Sequence, residues 1–373
     1  MVLGVPCEIT LPLHDDGLVP LSLGGQSLLL NVDSALPETF AVYGDWYEKK
    51  YGPGACDQLP SGCYFCPDPR LCDDVYKRHR WKIFFAHGRE NVTVVAHEDT
   101  LGIGNVTLPS FTFGLVIGYD SVLPDSHPDG LLGLSFPRPT VPLSLLQQLE
   151  DAHIVDDLAF SILPAHGHGF CGTLVLGTSD AGSSRSGRVN RARFVPPRDG
   201  ELRQFLVDLV RVTIVKPEGG ILTVGRIRSA ASSSKPVALF DTGDDCIQIP
   251  SSDLAVIIEE TNDCYMKKSN NNVRRRSATR SIWRDSEIDH WLIREDAIDC
   301  LPSLKYRLGN SDHGLLSVII KPEHYTSLCD EDGCILHLRD GKESDVLVLG
   351  YPFFAAHESF FNLSGGWIDI VQM

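Results

Sequence analysis

The run Ala238-Leu239-Phe240-Asp241-Thr242-Gly243 decides how this chain reads. An apolar stretch ends in an acid, a hydroxyl residue and a glycine. Beyond Ile249-Pro250, Ser251-Ser252-Asp253 then opens an apolar helical pattern through Leu254, Ile257 and Ile258. A carboxylate at the mouth of a buried strand is costly to desolvate unless it is hydrogen-bonded or used. Gly243 permits the turn that brings backbone N–H groups back toward it. Asp-Thr-Gly also occurs in ordinary turns, so the weight lies in a second copy, Leu29-Leu30-Asn31-Val32-Asp33-Ser34-Ala35.

Each copy has a matching partner downstream. Leu131-Leu132-Gly133-Leu134 places Gly133 100 positions after Asp33, and Val346-Leu347-Val348-Leu349-Gly350 places Gly350 109 after Asp241. The chain therefore reads twice as acid loop, long β-rich interval, then apolar-apolar-Gly. That is an internal duplication at domain scale. Two lobes, each offering one aspartate, would make a paired-carboxylate site where they meet.

Further stations extend the pattern: Asp129-Gly130 before Leu131, Phe160-Ser161-Ile162-Leu163 with Gly172-Thr173-Leu174-Val175-Leu176-Gly177, and Leu349-Gly350-Tyr351-Pro352-Phe353-Phe354. In this order the chain resembles the pepsin-like aspartic proteases over residues 20 to 371. The resemblance implies a mainly β, two-lobed acid-protease fold with pseudo-twofold symmetry and an active-site cleft between lobes. It implies an N-terminal lobe over 1–185 and a C-terminal lobe over 186–373, in a monomer that hydrolyses a peptide or protein substrate. Asp33 and Asp241 take the catalytic positions, with Ser34, Thr242 and Gly243 supporting them. The hairpin around Trp81 to Val95 matches the flap that closes over substrate, so Phe85 and Gly88 are its substrate-binding candidates.

The implied chemistry needs no metal or cofactor. Two carboxylates a hydrogen bond apart share one proton, because like charges that close cannot both ionise. The ionised member takes a proton from a bound water that attacks the peptide carbonyl, and the protonated member donates to the developing oxyanion.

Several residues depart from the family pattern. Ala35 adds a Cβ where glycine is usual, and Leu36 replaces a hydroxyl residue that would hold the outer carboxylate oxygen. Asp244 puts an extra acid beside the second aspartate, expected to raise the pair's pKa or reorient it. Phe85 stands for the flap tyrosine, and Tyr351 follows the last Leu-Gly in place of an acid. Together these leave a second reading open, a catalytically impaired pseudoprotease that binds peptide or protein in the same cleft.

Composition agrees with the fold class. The 373 residues, 43% of them hydrophobic, suffice for two lobes with cores, and 33 Gly with 23 Pro favour a turn-dense β protein. The formal charge of −16 argues against a nucleic-acid binder. No apolar run approaches the roughly 18 residues of a membrane span.

Eleven cysteines and three sequons, at Asn91, Asn105 and Asn362, suit the secretory pathway or the extracellular space. Met1-Val2-Leu3-Gly4-Val5-Pro6 lacks the basic start and long apolar core of a signal peptide. Residues 44–80 read as an irregular segment carrying Cys56, Cys63, Cys66 and Cys72, a disulfide-stapled loop in preference to a zinc site. Cys264 with Cys300 and Cys329 with Cys334 are the other expected pairs, and Cys246 reads as a buried thiol. Lys267-Lys268 and Arg274-Arg275-Arg276 read as a solvated surface insertion.

Overall fold

The structure, a computed structural model, describes residues 8–85, 89–122, 126–138, 143–165, 169–178, 189–197, 203–225, 235–270, 280–285, 289–310, 314–331, 333–342 and 344–372. The chain is mainly β and divides into two compact units. The first comprises Met1–Ile162, Cys171–Ser179 and Asn362–Ser364, and the second Leu163–Phe170, Asp180–Phe361 and Gly365–Met373.

The first unit holds strands β1 (Ile9–Leu13), β2 (Leu18–Leu23), β3 (Gln26–Asp33), β4 (Phe40–Val42), β5 (Arg80–Phe85), β6 (Glu90–Ile103), β7 (Val106–Ser121) and β8 (Leu131–Gly133). β9 (Ala159–Pro164) and β10 (Gly172–Leu176) follow, β10 pairing antiparallel with β1. Its main sheet runs β2-β3-β8-β4-β7-β6-β5. Alternation drives β2 into this sheet: Val19, Leu21 and Leu23 are buried while their neighbours are half-exposed. Gly24 and Gly25, with φ of 55° and 79°, turn β2 into β3 as a two-residue hairpin needs.

Helix α1 (Gly44–Tyr51) corrects the expectation of an irregular segment there. Tyr47 is buried on it among Val42, Cys56, Leu59 and Cys63, with Trp46 and Tyr51 alongside. Only Gly44 and Tyr47 are buried in this helix, so the sequence shows no apolar stripe to announce it. Helix α2 (Leu145–Asp151) is capped by Ser144 and buries Leu145, Leu146 and Leu149, the face expected from sequence.

The second unit holds β11 (Val189–Arg193), β12 (Leu206–Val215), β13 (Ile221–Gly225), β14 (Val237–Phe240), β15 (Ile247–Ile249), β16 (Ile282–Asp285), β17 (His290–Ile293), β18 (Ser303–Asn310) and β19 (Gly314–Ile320). β20 (Thr326–Cys329), β21 (Cys334–Leu336), β22 (Leu338–Asp340), β23 (Val346–Leu349), β24 (His357–Asn362) and β25 (Trp367–Gln372) complete its strands. The order β19-β18-β12-β14-β23-β15-β22 forms its main sheet, and β16-β17-β21-β20 a smaller one. Helix α3 (Ser251–Asn270) extends into the expected surface insertion, so Lys267 and Lys268 are exposed on its last turn. Cations suit a helix C-terminus, which explains why the basic pair does not end the helix earlier. Arg274-Arg275-Arg276 lie outside the described residues. Two short helices, α4 (Pro322–Tyr325) and α5 (Tyr351–Ala356), finish the set.

The duplication read from sequence is present in the strand pairing. In the first unit β3 runs parallel to β8, with Asp33 opposite Gly133, and β4 meets β8 antiparallel at Phe40 and Leu131. In the second, β14 runs parallel to β23, with Phe240 opposite Leu349, and β15 meets β23 antiparallel at Ile247 and Leu349. β4 then pairs parallel with β7, and β15 parallel with β22. The same four-strand arrangement is thus built twice, each time around an acid loop.

Disulfides join Cys56 to Cys63, Cys66 to Cys72, Cys264 to Cys300 and Cys329 to Cys334. The first two consume every thiol that a zinc site in residues 44–80 would need. Cys246 is a buried free thiol.

Candidate active site

Asp33 ends β3 in the first unit and is only 5% exposed. Its Oδ1 accepts two backbone N–H bonds, from Ala35 at 2.7 Å and Leu36 at 2.9 Å. Both bonds fall on the same oxygen, so the main chain of Ala35 and Leu36 holds Oδ1, while the leucine side chain offers no hydroxyl to the other oxygen. That side chain packs instead against the cluster of Phe40, Ile83, Val92, Val94, Val116 and Tyr119. Ser34 is fully buried beside the acid.

Burial lifts the Asp33 carboxyl to about 6, against the two backbone hydrogen bonds and the charge of Arg138, with Glu38 adding to the rise. Glu38 is itself buried and pairs with Arg138 at 3.2 Å. The sequence singled out neither Glu38 nor Arg138. They lie 100 positions apart, and no local spacing joins them.

Asp241 follows β14 in the second unit, and its Oδ1 accepts from the Gly243 N–H at 2.8 Å. Its own N–H donates to Leu349 O at 3.2 Å, tying the loop to the end of β23. Thr242 is fully buried. Asp244, the extra acid beside the second aspartate, is held by three partners. Its Oδ1 accepts from Arg339 at 2.8 Å and from the Cys246 N–H at 3.0 Å, and its Oδ2 from Gln248 at 3.2 Å. Burial raises its pKa while the Arg339 charge opposes the rise. The parallel register of β15 on β22 sets Arg339 opposite Gln248. Nothing near Asp244 in the sequence signals this partner.

Both loops close against a glycine with no room for a side chain. A Cβ on Gly133 would stand 2.5 Å from Glu38 O, and one on Gly350 would stand 2.1 Å from Asp244 O. Tyr351, the residue replacing an acid, donates its N–H to Asp244 O at 2.9 Å and lays its ring on Phe170 at 4.6 Å. It serves as backing for the loop.

The flap candidate forms as a hairpin, with Phe85 opposite Glu90 and Trp81 opposite Val94. Phe85 turns partly inward, its ring centroid 6.2 Å from that of Phe40. Gly88, with Ala86 and His87, lies outside the described residues. Of the sequons, Asn105 is exposed on the β6–β7 turn, Asn362 is half-buried, and the Asn91 side-chain oxygen is buried.

A family model for eukaryotic aspartyl protease matches residues 74–373. The chain belongs to the eukaryotic aspartyl protease family. No curated protein matches it. Membership gives aspartic-protease chemistry as the class, with peptides as the substrate class. Four disulfides suit an oxidising secretory or extracellular environment. No helix among the described residues is long and apolar enough to cross a membrane.

Proposed function

We propose that the chain is an aspartic endopeptidase whose lobes, 1–185 and 186–373, contribute Asp33 and Asp241 to one water-activating dyad. One observation carries the reading. Each unit builds the same parallel-strand loop around one aspartate, with backbone N–H groups aimed at that carboxylate. Such loops hold a carboxylate without metal or cofactor. A dyad sharing one proton suits Asp33, which burial keeps protonated into mildly acidic conditions. The ionised partner would draw a proton from water as it attacks the scissile carbonyl, and the protonated one would supply the oxyanion's proton. Phe85 and the neighbouring flap residues, Gly88 among them, would cover the substrate. Asn105, the exposed sequon, is the proposed glycan acceptor. A mass loss on enzymatic deglycosylation, absent in Asn105→Gln, tests it.

The pseudoprotease reading draws on Ala35 and Leu36, which alter the first loop. The Leu36 N–H bond to Asp33 and the Arg339 pairing of Asp244 weigh against it. Cleavage of a denatured protein and a peptide library between about pH 3 and 7 separates the two. The endopeptidase cleaves, is blocked by a general aspartic-protease inhibitor, and loses at least ~10³-fold in kcat in Asp241→Ala. Peptide binding without cleavage by the folded protein would establish the pseudoprotease.

A further inference from the structure

Asp245, Cys246, His290 and His337 converge on one point of the second unit. One candidate ligand atom from each lies within 4.8 Å of all the others. The residues come from three places in the chain. Asp245 and Cys246 occupy the turn between β14 and β15, His290 opens β17, and His337 joins β21 to β22. Strand pairing fixes their approach. β17 lies on β21, and the Ile247 N–H donates to His337 O at 3.0 Å. Asp245 Oδ2 already meets His290 Nε2 at 2.6 Å, and Ser327 Oγ meets His337 Nε2.

We propose that these four side chains form a structural zinc site that clamps the turn carrying Asp241. One thiolate, two imidazoles and one carboxylate make a donor set suited to Zn²⁺. Tetrahedral coordination at zinc–nitrogen and zinc–oxygen bonds near 2 Å needs those ligand atoms roughly 3.3 Å apart, so the widest separations close by about 1.5 Å, while the Asp245–His290 hydrogen bond of 2.6 Å opens and exchanges its proton for the metal. The Ser327 hydroxyl on His337 Nε2 assigns Nδ1 to the metal and supplies the outer hydrogen bond that orients a ligating histidine.

Charge also balances. Asp244, Asp245 and a Cys246 thiolate carry three negative charges against the one of Arg339, and Zn²⁺ neutralises the remaining two. Arg339 holds Asp245 Oδ1 at 2.9 Å, which leaves Oδ2 as the ligand oxygen. Binding releases the Cys246 proton to solvent, as metal capture by a thiol requires. The other grouping of this kind among the described residues, Cys66, Cys72 and His97, has both sulfurs in a disulfide. The zinc site stands independently of whether Asp241 performs catalysis.

Titration of the metal-stripped, disulfide-intact protein with Zn²⁺, and with Co²⁺ as a spectroscopic probe, tests the site. The expected result is one equivalent of Zn²⁺ bound, a rise in Tm, and a thiolate-to-cobalt charge-transfer band. His290→Ala, on a partly exposed side chain, and Cys246→Ser should each weaken binding by at least about tenfold, since loss of an outer-shell partner alone costs that much. Circular dichroism on both variants separates lost binding from lost folding, and His290→Ala keeps the test intact if Cys246→Ser fails to fold. No zinc binding by the folded wild type would overturn the site. So would a cobalt complex without the thiolate band, or unchanged affinity in a folded His290→Ala.

Discussion

The two acids differ most at the residue scale. Asp33 sits beside an ion pair, buried Glu38 with half-buried Arg138, and those charges act on it in opposite directions. Arg138 lowers its pKa and Glu38 raises it. A dyad needs its shared proton, so activity falls as pH rises through the value of about 6 at which Asp33 releases it. Arg138→Gln removes the lowering charge and should move that limb of the kcat/KM profile to higher pH. Glu38→Gln removes a raising charge and should move it lower. The two pH–rate profiles check this, and shifts of the same sign would refute the electrostatic assignment. The Arg138–Glu38 pair was not legible in the sequence, because only the folded loop brings positions 100 residues apart together. Leu36 shows what a sequence can and cannot say. The loss of a hydroxyl is plain, but that its main chain joins the Ala35 N–H on Asp33 Oδ1 needs the folded loop.

At the scale of elements, the acid loops depend on the strands beside them. The pattern of apolar pairs ending in glycine was legible because it repeats at nearly equal separation, and the structure gives the reason. Gly133 and Gly350 lie where the returning main chain of each loop passes. Gly133→Ala and Gly350→Ala should each destabilise by roughly 1–3 kcal/mol or more, as overpacking does, and should depress activity through the loop. Gly220, whose nearest neighbour to an added Cβ is Lys216 at 3.8 Å, is the control. Denaturant titration of the three variants measures it, and equal stability across them would contradict the packing argument. Helix α1 escaped the sequence for the converse reason. Its burial rests on Tyr47 with disulfide-linked loops around it, and no apolar period marks it. The pairing Cys56–Cys63 and Cys66–Cys72 was equally hidden, since four closely spaced cysteines permit several connectivities.

For the whole molecule, acidity acts on stability through more than the −16 net charge. His357 at the start of β24 is 2% exposed, packs on Phe353 at 5.2 Å, and among the described residues has no hydrogen-bond partner on either ring nitrogen. Burial, with the nearby His324 charge, lowers its pKa to about 3. Above pH 6.5 the ring is neutral folded and unfolded alike. As pH falls from there toward 3 the unfolded chain gains a proton that the folded one refuses, and stability drops. His357→Phe should therefore raise Tm at pH 4 relative to its effect at pH 7.5, read by thermal unfolding at both. An equal change at the two values would show that the ring is not protonation-limited. The duplicated architecture was legible at this scale, but Arg339, His290 and His337, which surround the second loop, come from distant strands and left no local signal. The most direct measurement is kcat/KM for Asp33→Asn, Asp241→Asn and the double variant beside wild type at its optimal pH. Two aspartates acting as one dyad predict that either single substitution costs as much as both together. Losses that simply add, or substantial cleavage surviving in one single variant, would contradict the dyad.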